Sequence, residues 1–187
     1  MADKSFLPPS MRPERSYADS MASIEQSGAL DEYLSNMLRD AAKGVRPAQA
    51  ELTAYALHCS GNPKFEMEVM VGAEVFARLA AQHGEGDDQI RLAGVLMKRA
   101  EHMLAQGQDE RAKQFAVESF LALELSFDHG QPQPLLGAAA LLNEGVGEGE
   151  DERNAVLFDA AIAALKPASA KAISAYSCSL GPNVGGS

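Results

Sequence analysis

Apolar residues along this chain recur every three or four positions, and no segment alternates with the period of two that marks a strand. Leu30, Leu34, Met37, Leu38 and Ala41 share one helix face, and Gly44 followed by Pro47 supplies the stop. A second helix is expected over about 48–59, with Leu52, Tyr55, Ala56 and Cys59 on one side. Ser60-Gly61-Asn62-Pro63 closes it; Asn62 suits an N-cap, and Pro63 the first helical position, where its missing N–H is no loss. The stretch that follows, as far as His83, keeps Phe65, Val69, Gly72, Val75, Phe76, Leu79 and Ala80 at helical spacing. So much apolar surface predicts a helix buried on two sides, with Gly72 letting a neighbouring helix come close.

Gly84-Glu85-Gly86-Asp87-Asp88 reads as a turn whose acids suit a helix N-terminus, opening a helix from about Asp88 to Gln106. Gly107-Gln108-Asp109 repeats that logic. After it Ala112, Phe115, Ala116, Ser119, Phe120, Leu123 and Phe127 mark a helix ending near Asp128. Two long helices joined by so short a turn must pack antiparallel. A further pair is expected over about Pro134–Glu144 and Asp151–Leu165, and past Pro167 a closing helix from Ala168 to Leu180 turns Ala172, Ile173, Tyr176 and Leu180 inward. Residues 1–27 mix Ser, Pro, Met and charges without a period and read as a flexible arm, while 181–187 read as a flexible tail. The expected architecture is therefore all-α: one domain over 28–180, built of antiparallel helix pairs stacked as a short αα solenoid.

The spacing of the pairs supports the stack. His83-Gly84 and His129-Gly130 each close a long amphipathic stretch, 46 residues apart, and the second helices of three pairs start near Pro63, Asp109 and Asp151. Such intervals are periods of helical solenoids. Leu142, Gly145, Gly147, Asp151, Ala155 and Phe158 resemble the Sel1-like branch of the tetratricopeptide-repeat superfamily over half of one unit. In the preceding pair Ala100, Ala112 and Ser119 stand where the ordinary tetratricopeptide pattern has small residues, but Ala116 replaces an aromatic one and the Trp and Pro positions are lost. The resemblance implies an inner surface, lined by the first helix of each pair, that binds peptides or protein segments. The physics of such a stack is simple: small residues let helices cross closely, Phe115 and Phe158 fill between units, and each pair needs a neighbour to bury its outer face. A plain bundle with coincidental spacing is the competing architecture.

Composition narrows the function. With 26 acidic and 16 basic residues the formal net charge is −10, which repels a phosphate backbone and speaks against nucleic-acid binding. Cys59 and Cys178 lie far apart without metal or disulfide spacing, and the first residues lack the apolar run of a secretory signal; both fit a cytoplasmic protein. The longest nearly apolar run, 134–142, is far short of the roughly 20 residues that span a bilayer.

Candidate chemistry is sparse. None of His58, His83, His102 and His129 falls in a metal-binding spacing, and His83 and His129 suit helix C-termini. His58 and Cys59 are adjacent on a helix, so they point apart and make a poor thiol–base pair. Gly145–Glu150 follows no strand and lacks the Lys-Ser/Thr of a phosphate loop. No catalytic, metal or cofactor residue is assigned. One constellation stands out: Arg91, Val95, Lys98 and His102 lie on one helix face with Arg99 beside them, a basic strip suited to clamping an acidic peptide. Asp87 and Asp88, four and three residues before Arg91, also supply ordinary helix-surface partners. The expected function is a non-catalytic adaptor or scaffold that holds a peptide or protein segment in a helical groove. Arg91, Lys98, Arg99 and His102 would contribute charge there, with the N-terminal arm a candidate competitor and a homodimer left open. The alternatives are a secreted effector or secretion chaperone, and an enzyme or small-ligand binder with a site assembled from distant residues.

Overall fold

A computed structural model of the chain describes residues 22, 25–60, 67–128, 130, 133–139 and 152–179. Among these every regular element is a helix: α1 (Leu30–Ala42), α2 (Arg46–Cys59), α3 (Met67–Ala81), α4 (Gly86–Ala105), α5 (Asp109–Asp128), a short α6 (133–139), α7 (Glu152–Ala164) and α8 (Pro167–Ser179). Most of the expected arm, the capping turn at 61–63, His129, the loop at 145–150 and the C-terminal tail lie outside the described residues, as does most of the Sel1-like stretch; of the arm, residues 22 and 25–27 are described, with 22, 25 and 26 helical.

The boundaries follow from local chemistry. Asp31 and Glu32 occupy the first turn of α1 and Arg39 the last, each favourable to the helix dipole. Pro47 is a starter as well as a stop: Val45 is extended, and α2 opens with the proline inside its first turn. Pro167 plays the same part at the head of α8.

Packing runs mainly between neighbours in the chain, with two longer reaches, α2 to α4 and α5 to α7. The α4–α5 pair is the tightest. Ala100, Ala112, Ala116 and Ser119 are small residues buried where the two helices meet, with Met97, Phe115 and Leu157 packed around them, and Ser119 Oγ donates to the Ala93 carbonyl at 2.9 Å. At the α2–α4 contact a Cβ on Gly94 would lie 3.3 Å from a Leu57 methyl, which explains the glycine inside α4. Val95, Leu96, Phe120, Leu123, Leu135 and Ala161 continue one core through the centre of the molecule.

One junction occurs twice. Between α1 and α2, Gly44 adopts φ +86°, its N–H reaches the Ala41 carbonyl, and Gln49 Nε2 donates back to that same carbonyl at 3.2 Å. Between α3 and α4, Gly84 adopts φ +78°, its N–H reaches the Ala81 carbonyl, and Gln89 Nε2 donates to it at 2.9 Å. The left-handed backbone at both turns is the one glycine tolerates without strain. Each member of the second set lies 40 residues after its counterpart in the first. Arg46 ties the junctions together, its Nε donating to the fully buried Asp88 carboxylate at 2.6 Å, and this bond raises the Arg46 pKa. At the other end the buried carboxylate of Glu124 accepts the Lys166 backbone N–H at 2.8 Å, positioning the start of α8 against α5.

The expectation that α3 is covered on both sides is not met. Met70, Ala73, Ala77 and Ala80 are buried, but Val69, Val71, Val75 and Leu79 are exposed, Val75 to 56%.

Candidate binding groove

Helices α1 and α3 both pack on α2, and the space between them forms an apolar groove. Its α1 wall is Leu34 and Leu38, its floor Leu52, Tyr55 and Ala56, and its α3 wall Val69, Gly72, Ala73 and Phe76. The cavity volume is about 270 Å³ and the groove opens to solvent, with Leu38 exposed to 50% at its rim. The sequence pattern marks most of these residues as core; what it misses is that two helices meeting a third at separate places leave a gap. A signal was present in α3, which is apolar around more of its circumference than one packing contact can use.

Two tyrosines bring polar groups near the groove. Tyr33 donates to Glu51 at 2.6 Å, and burial, then this bond, hold its phenol well above the ordinary range. In the floor, burial and then the Cys59 thiol push the Tyr55 phenol up to about 12, with the carboxylates of Glu25 and Asp31 adding to the rise.

The basic strip is placed on α4, where each member has a neighbour. Arg91 Nη1 lies 3.0 Å from Asp88, Lys98 Nζ 2.8 Å from Glu101, and His102 Nε2 2.8 Å from the Gln106 amide. Arg99 is largely enclosed, its guanidinium 4.9 Å from the Phe115 ring centre and 3.6 Å from the Glu74 carboxylate. Between Arg91 and Lys98, Val95 is fully buried.

Cys59 is a half-buried free thiol. Among the described residues no group of three or more His, Cys, Asp or Glu is placed to hold a metal ion, and no helix is long and apolar enough to cross a membrane.

The fold and its groove thus define an all-helical protein with an exposed apolar cleft between three consecutive helices. Comparison with family models, curated proteins and solved structures finds no match for the chain.

Proposed function

We propose that this chain is a non-catalytic interaction module that holds a segment of another protein in the groove of α1, α2 and α3. The carrying observation is the exposure of Leu38 and Val69 in the lining of an apolar cleft. Contiguous apolar surface of this kind is unfavourable in water, and covering it with a partner lowers the free energy. A short αα solenoid of tetratricopeptide or Sel1-like character fits the same reading. In its support, the Gly44–Gln49 junction returns as Gly84–Gln89, and successive helices pack on their neighbours.

Arg91, Lys98, Arg99 and His102 are a second candidate contact. An acidic segment there would have to displace Asp88, Glu101 or Glu74, whereas the groove requires no such exchange. The reading therefore rests on the groove. Affinity capture from native lysate with the intact chain, with Leu38→Glu and with Arg91→Glu/Lys98→Glu tests it. One specific partner lost with Leu38→Glu and kept with the α4 variant is the expected result. Loss with the α4 variant alone moves the site to the basic strip, and capture of no partner by any form removes the adaptor reading.

A further inference from the structure

Three observations, taken with the groove reading above on which this step rests, define what the groove takes. The first concerns backbone. The groove is lined by apolar side chains on helices whose own backbone groups are bonded internally, and among the described lining residues Tyr55 carries the single side-chain hydroxyl. An extended peptide laid there would leave buried N–H and C=O groups without partners, an unfavourable desolvation. A helix brings its backbone already satisfied.

The second observation is Gly72. It lies in the middle of α3, where glycine is a poorer helix former than alanine, and beyond its chain neighbours and its own helix backbone no described atom comes within 4 Å of the place its Cβ would occupy. Among the described residues nothing uses the missing side chain. It leaves a notch in the α3 wall of the groove, next to the exposed row Val71, Val75 and Leu79, whose spacing of four is that of a helix ridge. A docking helix can bring its own ridge close to α3 at that notch.

The third observation is charge. Glu25, Asp31 and Glu32 are exposed where α1 begins, Asp31 one turn before the groove residue Leu34, and none of the three forms an ion pair among the described residues. Two of them lie near enough to act on the Tyr55 phenol in the groove floor. At the other end of α1 Lys43 pairs with Asp40 at 3.2 Å, and Arg39 donates to the neutral Asn36 side-chain oxygen at 3.0 Å, so that end carries cations as well as a carboxylate. In a chain of net charge −10, these exposed carboxylates at one end of the groove, without an ion pair among the described residues, favour a cationic occupant.

We propose that the groove binds an amphipathic α-helix of a partner protein, its apolar face laid against Leu38, Val69 and Gly72 and its Lys or Arg residues set beside Glu25, Asp31 and Glu32. The probes are two synthetic Leu/Lys and Leu/Glu amphipathic helices of about 14 residues, four turns, with identical apolar faces. Binding to the full chain is followed by fluorescence anisotropy. The Leu/Lys peptide should bind on the order of tenfold tighter than the Leu/Glu peptide, the sum of a few screened ion pairs. Asp31→Lys/Glu32→Lys should reverse that preference. Gly72→Leu fills the notch without touching the core, so it should keep the helical circular dichroism spectrum and abolish binding of both peptides. Equal affinity for both peptides, lost with Gly72→Leu, overturns the cationic helix and leaves the groove reading standing. Binding unaffected by Gly72→Leu, or no binding at all, overturns both. A concentration-dependent dimer that Gly72→Leu dissolves assigns the face to a second copy of the chain and overturns the proposal.

Discussion

A glutamine buried beside a helix end is tolerated when its amide N–H is used, and Gln49 and Gln89 use theirs in the same way, as a second donor to a carbonyl in the last turn of the preceding helix. Their position could have been read from sequence only by noticing that Ala41, Gly44, Gln49 and Leu52 return as Ala81, Gly84, Gln89 and Leu92; the His-Gly steps follow another period and hide this one. Tyr55 is a polar group in an apolar floor, and it makes the stability of the fold depend on alkaline pH. The folded chain holds the phenol proton to about 12, while the unfolded chain releases it near the ordinary value of 10.0. Below pH 10 the contribution of this group is complete; as the pH rises from 10 through about 12, the unfolded state binds fewer protons and stability falls. Urea unfolding midpoints compared on either side of that window should decline less steeply for Tyr55→Phe than for the native chain. Parallel declines would show that Tyr55 is solvated as in the unfolded chain.

Elements were more legible than their surroundings. Seven helices were readable from spacing because apolar residues recur every three or four positions and glycine or proline lies near their ends, as in Gly44-Val45-Arg46-Pro47. Exposure was not readable in this way, since period shows that a face is apolar and not what lies against it. α3 shows the difference: Val71, Val75 and Leu79 have the spacing of a core ridge and face solvent. Glycines within helices separate the two situations experimentally. Gly72→Ala adds a methyl in open space at a helical position, so it should raise stability by about 0.5–1 kcal/mol. Gly94→Ala gains the same helix preference but presses on two Leu57 methyls at 3.3 and 3.4 Å, so its net gain should be smaller. Thermal or urea denaturation of the two single variants decides the order. A destabilised Gly72→Ala would mean that an atom of the chain does approach this glycine.

At the scale of the molecule, Arg99 is where three helices converge. It rises from α4 between the carboxylate of Glu74 on α3 and the ring of Phe115 on α5, with side-chain exposures of 14% for Arg99 and 16% for Glu74. In the sequence, Arg99 appears as part of a surface strip with Arg91 and Lys98, because one helix turn carries it close to them; its enclosure depends on α3 and α5, which no local pattern reports. The site is unevenly satisfied. Arg99 Nε and Nη1 are buried without hydrogen bonds, while Glu74 has a second cation in Arg78 at 2.9 Å. This asymmetry orders the single substitutions. Arg99→Met keeps the bulk against Phe115, removes two unsatisfied donors and leaves Glu74 paired with Arg78, so it should cost less than about 1 kcal/mol. Glu74→Met leaves an enclosed guanidinium with only an aromatic face for company and should cost about 3 kcal/mol. With both replaced, the uncompensated charge is gone, and the double variant should be more stable than Glu74→Met alone by most of that difference. Urea denaturation of the four proteins at one pH measures the cycle. If the two costs simply add, the pair is solvated and uncoupled, and the convergence of α3, α4 and α5 rests on the apolar contacts around it.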